Sequence, residues 1–419
     1  MGVEDRDQPK GHPIGGSTGC FDAFWRRAPN TLRETAVQLS GLIDNVISRK
    51  GIVKATRKRT AAVFVAGVAL ALVGFTGGCG SSDGDDATAG SSASATAGAT
   101  AGSSASSSTG STGTAAIVSA ANAFLATLSD TEKSSVQFEW SNTEQKARWS
   151  NLPQGLYTRA GLMWEKMSDS AKTAWLAVMK ATLSTEGYNR VLAEWRADDE
   201  LSGSGGCCYG QQYYWVALIG TPSTSSPWQW QWGGHHVTVN ATLSGSKLAL
   251  YPSFIGAQPT SYSDSGSTVE PLGDIWDAAY ALVSSLSNSQ KSSAVLGSSY
   301  IDLLYGPGED DKQPVYDGIQ GSKLTDAQQK LLIALIGKYT GLANDAAAKT
   351  RLAEIEDTLD STYFCWYGPT TDTGDSYFRV TGPRVIIEYS PQSMGGSAAN
   401  HIHGIYRDPK NDYGAAITG

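Results

Sequence analysis

Two spacings of apolar residues alternate over most of the chain. After Ser168, the residues Trp175, Val178, Met179 and Leu183 share one face of a helix, and after Thr325 the residues Leu331, Leu332, Leu335, Ile336 and Tyr339 do the same. Both runs open on a hydroxyl residue followed by Asp. That is an N-cap signature: the side-chain oxygen takes a backbone N–H that the first helical turn leaves unbonded. Downstream the spacing changes to that of strands. Residues 228–232, a Gly233-Gly234 turn and 237–242 predict a hairpin, and Ser244-Gly245 turns the chain into 247–251. Residues 377–380, Gly382-Pro383 and 384–389 predict its counterpart, after which a loop over 390–399 leads into a last strand over 401–406.

The chain also resembles itself. Leu128-Ser-Asp-Thr-Glu-Lys-Ser-Ser135 recurs as Leu286-Ser-Asn-Ser-Gln-Lys-Ser-Ser293, and Met167-Ser-Asp-Ser-Ala-Lys172 as Leu324-Thr-Asp-Ala-Gln-Gln329. Tyr213-Tyr-Trp-Val-Ala-Leu-Ile-Gly220 is similar to Tyr363-Phe-Cys-Trp-Tyr-Gly368, and Trp232-Gly-Gly-His-His-Val-Thr-Val-Asn240 to Val380-Thr-Gly-Pro-Arg-Val-Ile-Ile-Glu388. The offsets are 158, 157, 150 and 148, a slow drift in one order. This predicts an internal duplication, with a first half over 115–265 and a second over 266–419 in one compact domain. The expected class is α+β, each half placing helices before antiparallel hairpins, and the halves packing about a pseudo-twofold.

The region before residue 115 has another character. Lys54, Arg57, Lys58 and Arg59 precede an uncharged stretch over 61–78 that ends on Thr76-Gly77-Gly78, directly before Cys79. A basic n-region, a short apolar segment and small residues at a cleavage point form a secretory signal over 53–78. The cysteine at that point resembles a bacterial lipobox, so Cys79 is expected to carry the lipid that holds the protein to the membrane. An uncleaved transmembrane anchor is the alternative, at the short end of the roughly 20 residues a span needs. Residues 1–52 read as an extension outside the exported domain, with translation starting at Val53. From Cys79 to 114 the chain is mostly Ser, Gly, Ala and Thr, a tether with too little apolar surface to fold. Beyond residue 79 there remain 21 basic and 34 acidic residues, a net charge of −13. Such a surface repels phosphate backbones, so no nucleic-acid partner is expected. Cys207, Cys208 and Cys365 allow one disulfide in an oxidising exterior, with one thiol left over.

After the leader, every histidine lies in one of two clusters, Gly233-Gly-His235-His236-Val-Thr-Val-Asn240 and Asn400-His401-Ile-His403-Gly-Ile-Tyr-Arg407-Asp408. Together with Phe378-Arg-Val-Thr-Gly-Pro-Arg-Val-Ile-Ile-Glu-Tyr389, Tyr406-Arg-Asp-Pro-Lys-Asn-Asp-Tyr-Gly414, Trp230-Gln-Trp-Gly-Gly-His-His236 and Pro252-Ser-Phe-Ile-Gly256, these segments resemble the signature of the domain-of-unknown-function 3500 family over roughly 115–415. That family is functionally uncharacterised and often exported. The resemblance implies domain extent and no activity.

The chemistry therefore rests on the residues. On a strand, His401 and His403 project to one face, a two-nitrogen half-site for Zn, Cu or Fe. A return over 390–399 predicts Glu388 opposite His401 and Ile402, as a ligand, a partner for an imidazole N–H, or a base. His235 and His236, adjacent on a strand, face opposite ways, so one of them is expected at a shared site. The competing account is that these histidines only hydrogen-bond backbone. The clusters meet only if the halves pack about a twofold. Arg384, Arg407 and Asp408 are expected at the same site, where an arginine forks onto a substrate anion. An internal Arg–Asp pair explains them equally. Trp228, Trp230 and Trp232 form either a stacking stripe or core. Within 115–419 there is no His-Glu-x-x-His, Gly-x-Ser-x-Gly, Walker or dinucleotide glycine motif, which disfavours serine hydrolases, nucleotide enzymes and gluzincin-type proteases. Two functions remain: a surface-tethered metal enzyme acting on a small extracellular substrate, and a non-catalytic lipoprotein binding an envelope ligand or a metal.

Overall fold

The hydroxyl-led segments start helices where their spacing places them. In the computed structural model, which describes residues 113–203, 208–394 and 396–419, Ser168 accepts from Ala171 N at 3.2 Å and caps the helix Asp169–Thr182. Thr325 caps Asp326–Thr340, and the Gln328 side chain accepts in return from Thr325 N at 3.0 Å. Ser129 and Ser287 close the same reciprocal box with Glu132 and Gln290.

Along the chain, the first part runs α1 (Thr114–Ala126), α2 (Asp130–Val136), β1 (Gln137–Phe138), α3 (Thr143–Lys146), β2 (Leu162–Met163), α4 (Asp169–Thr182), α5 (Thr185–Gly203), β3 (Trp215–Ile219), β4 (Trp228–Gly233), β5 (Thr238–Ser244), β6 (Lys247–Ala249) and β7 (Ser253–Ala257). A separate small hairpin, β8 (Tyr262–Asp264) with β9 (Ser267–Val269), follows. The remainder runs α6 (Gly273–Ser285), α7 (Asn288–Ala294), β10 (Val295–Gly297), β11 (Ile319–Gln320), α8 (Asp326–Thr340), α9 (Asp345–Glu356), β12 (Tyr363–Tyr367), β13 (Tyr377–Gly382), β14 (Val385–Pro391), β15 (Ile402–Arg407) and α10 (Ala415–Thr418). The fold is α+β.

One sheet of 13 strands joins these parts in the order β1-β3-β4-β5-β7-β15-β14-β13-β12-β10, with β2, β6 and β11 attached to β3, β5 and β12. Its pairs are antiparallel except the outermost two, β1 with β3 and β10 with β12. At the centre β7 and β15 run antiparallel with Ile255 opposite Gly404. Strand alternation then sorts side chains between two faces. Val385, Ile387 and Tyr389 of β14 and Ile402 and Tyr406 of β15 pack with Leu335 and Ile336 of α8. Ile386 and Ile405 point the other way, into a small cluster with Trp149, Phe254 and Tyr305.

The tryptophan stripe is core: Trp228, Trp230 and Trp232 are all fully buried. Trp230 meets Trp175 edge to face with centroids 5.5 Å apart, and Trp232 meets Trp195 at 5.0 Å. Cys365 is a buried free thiol on β12, pushed up to about 12 by burial. Cys207, the extension 1–52, the signal 53–78, Cys79 and the tether up to residue 112 lie outside the described residues. Among the described residues, no helix is long and apolar enough to cross a membrane.

Candidate metal centre

The Gly-Gly-His-His segment is a tight turn rather than two strand residues. Val237 N donates to His235 O at 2.9 Å while His236 adopts φ +66°, so a γ-turn is centred on His236. A non-glycine residue held in this region stores backbone strain, which a surrounding structure has to hold in place. Here Tyr214 OH donates to His235 O, and the buried Arg159 donates to Gly234 O at 2.9 Å. Gly234 lies flat on Tyr214, where a Cβ would come within 2.6 Å of the ring. The turn stacks the rings of His235 and His236 with centroids 3.5 Å apart, instead of sending them to opposite faces.

The second cluster reaches this turn across β7. His401, in extended backbone, immediately precedes β15, and His403 lies within it opposite Gly256 of β7. A Cβ on Gly256 would sit 2.7 Å from Ile402 O and 3.0 Å from His236 O. Only glycine at that position lets the His236 turn and β15 approach.

Three imidazoles then converge. His236 Nε2 lies 2.9 Å from His401 Nε2, which lies 3.0 Å from His403 Nε2. His236 and His401 are buried and His403 is partly buried. Burial and the neighbouring rings push His401 down to about 3 and His236 down to about 4, and hold His403 well below its ordinary value. All three are neutral at physiological pH, the form that binds a metal.

The far sides of the rings fix which nitrogen is free. His401 Nδ1 faces Met394 O at 2.8 Å, and a carbonyl only accepts, so the proton sits on Nδ1 and a lone pair on Nε2. His236 Nδ1 faces the Asp198 carboxylate at 3.4 Å, which favours the same tautomer. His403 differs: its Nδ1 lies 3.4 Å from Asn151 Nδ2, a donor, so without a metal this ring carries its proton on Nε2 and offers it to His401 Nε2 at 3.0 Å. The Nε2 lone pairs of His236 and His401, 2.9 Å apart, repel, and a shared cation removes that repulsion. A carboxylate or carbonyl, here Asp198 behind His236 and Met394 O behind His401, is the usual support for metal-ligating histidines.

Asp198, Asn151 and the Met394 carbonyl were not singled out by sequence reasoning. Asp198 had a signal. It follows Glu194 on the stripe of α5 that buries Gly187, Val191 and Trp195, so two carboxylates occupy inward helical positions. Burial alone would raise the Asp198 carboxyl, but His235 at 2.8 Å, together with His236, overcomes this and holds it below the usual range. Asn151 and a backbone carbonyl carry no comparable mark.

Four expected residues are engaged elsewhere. Glu388 pairs with Ile405, not His401 or Ile402, because β14 continues through Pro391 before turning. Its carboxylate accepts from Leu304 N and Tyr305 N, both at 2.8 Å, and from Tyr377 OH at 2.6 Å. It fastens the 304–305 backbone. Asp408 lies 2.8 Å from Arg351 and 3.1 Å from Arg384, and Arg384 also binds Glu354 at 2.8 Å. Arg407 binds Asp310, and Asp412 at 3.0 Å. These are internal ion pairs at the opposite end of β15.

A family model described as "Protein of unknown function (DUF3500)" matches residues 110–415, and the chain belongs to this family. No curated protein and no solved structure matches.

Proposed function

We propose that this chain is an exported, lipid-anchored metalloprotein in which His236, His401 and His403 hold one divalent transition ion. The observation that supports this is the set of three neutral imidazoles with converging Nε2 atoms, each with Nδ1 turned toward a polar partner. Zinc, copper and iron all accept such nitrogen sets. Three protein ligands leave a coordination position, the pattern of zinc sites that bind water or substrate. When bound, the ion supplies Lewis acidity or an activated water to a small extracellular substrate. The second reading is a non-catalytic metal-binding lipoprotein. It is favoured by the commitment of Glu388 to Leu304, Tyr305 and Tyr377, which takes the carboxylate expected as a base away from the cluster.

We also infer an internal duplication. The helix, strand and pairing order of β1–β7 recurs in β10–β15, including an outer parallel pair on each side. Under this reading one ion joins the two copies, with His236 from the first and His401 and His403 from the second.

Loading the purified protein with Zn²⁺, removing excess by gel filtration and measuring metal by mass spectrometry tests the centre. Wild type is expected to retain metal, and His403→Ala to lose at least one equivalent while keeping its far-UV circular dichroism. Wild type that elutes free of zinc would overturn the reading.

A further inference from the structure

Behind the three-histidine cluster lies a second convergence of donor atoms. His235 Nδ1 lies 2.8 Å from Asp198 Oδ1, and His236 Nδ1 lies 3.4 Å from the same oxygen. One ligand atom from each of the three residues falls within 4.8 Å of the others, and all three residues are buried. Two of the atoms make no hydrogen bond although both are buried: His236 Nδ1, which faces Asp198 Oδ1 at 3.4 Å without bonding to it, and Asp198 Oδ2. A buried acceptor left in this state costs about 1–3 kcal/mol, so it calls for an occupant.

We propose that Asp198, His235 and His236 form a second transition-metal site, and that the His236 ring bridges it to the first. This rests on the reading that His236, His401 and His403 hold an ion. His236 turns one nitrogen toward each group, Nε2 toward His401 and Nδ1 toward Asp198. The γ-turn stacks the ring of His235 on that of His236 and sets both Nδ1 atoms toward one carboxylate. When both of its nitrogens bind metal, the ring gives up its N–H proton to solvent and bridges as an imidazolate. Its negative charge and that of Asp198 together offset a second dication in this buried place. The donor set is two imidazole nitrogens and a carboxylate oxygen, suited to Zn²⁺ or Cu²⁺. The alternative is that Asp198 merely orients the two rings by hydrogen bonds, with one ion in all.

Copper loading separates these. The full-length protein in detergent, loaded with Cu²⁺ and freed of excess, is expected to hold two equivalents. Two Cu²⁺ ions sharing an imidazolate couple their spins, so the electron paramagnetic resonance intensity should fall well below that of two isolated ions. His235→Ala should hold one equivalent with full single-ion intensity, and Asp198→Asn should behave likewise. One equivalent in wild type at full intensity overturns the second site and leaves the first standing. No retained copper in wild type overturns both. The wild-type measurement decides even if a variant fails to fold.

Discussion

Histidines that are buried and neutral make the protein sensitive to acid. In an unfolded chain imidazole titrates near 6.5, whereas burial pushes His236 down to about 4 and His401 down to about 3. Between those values the unfolded chain binds protons that the folded chain refuses. The histidine contribution to stability of the metal-free protein therefore falls as pH drops below about 6.5, and keeps falling until about pH 3. Asp412, pushed up to about 7 by burial, acts in the opposite sense, so over the window from about 6.5 to 5 the histidine share is read as the difference between wild type and a variant lacking the rings. Urea midpoints of metal-free protein should decline across that window, and the double variant His401→Gln, His403→Gln should flatten the decline. The same pH dependence in wild type and the double variant would show that these rings are solvated, contrary to their burial.

At the scale of elements, the site depends on how closely the His236 turn and β15 approach across β7. Gly256→Ala places a Cβ against two backbone carbonyls that cannot rotate away. Overpacking of this kind costs about 1–3 kcal/mol. Because it separates two ligand-bearing elements, zinc affinity should fall roughly 10–100-fold, the scale seen when support behind a ligand is lost. Gly337→Ala on α8, where a Cβ meets nothing within 4 Å, is the control. Equal zinc affinities in dialysis for the two variants would mean that the approach over Gly256 does not set the site. Much of this geometry was legible beforehand. The N-caps at Ser168 and Thr325 depend on local chemistry alone, and the two hairpins were legible too, although Gly233 and Gly382 are the last paired residues of β4 and β13 and the turns follow them, over 234–237 and 383–384. The shared face of His401 and His403 follows from strand period. The register of Glu388 did not follow, because where a ten-residue loop begins depends on pairing with β7 and on the 300–305 segment, not on nearby residues. Shifting the β14–β15 turn onward by two residues kept Glu388 on the face of His403 but moved it along the strand. The γ-turn was likewise hidden, since adjacent histidines in a valine-rich context carry the pattern of a strand. Asp198 was legible in principle as an acidic residue on an apolar stripe, but its partner lies 37 positions away.

At the scale of the whole molecule, no helix among the described residues is long and apolar enough to cross a membrane, and the sequence before residue 113 offers its own means of attachment. Two mechanisms compete there. An uncleaved anchor would use the 18 uncharged residues over 61–78 as a span. A lipid anchor would remove them and retain Cys79 as the acylated first residue, with the Ser/Gly/Ala/Thr tether giving the folded unit reach from the surface. The two differ in what a single sulfur atom does. Cys79→Ser deletes the acyl acceptor and leaves the apolar stretch unchanged, so a spanning anchor would hold the protein in the membrane fraction at its original mass. Lipidation instead predicts that Cys79→Ser is released to the medium or accumulates as a heavier unprocessed precursor. It also predicts that wild type labels with a palmitate analogue and the variant does not. Unchanged membrane retention, with no change in mass and no label in wild type, would exclude the lipid anchor and leave the apolar segment as the attachment.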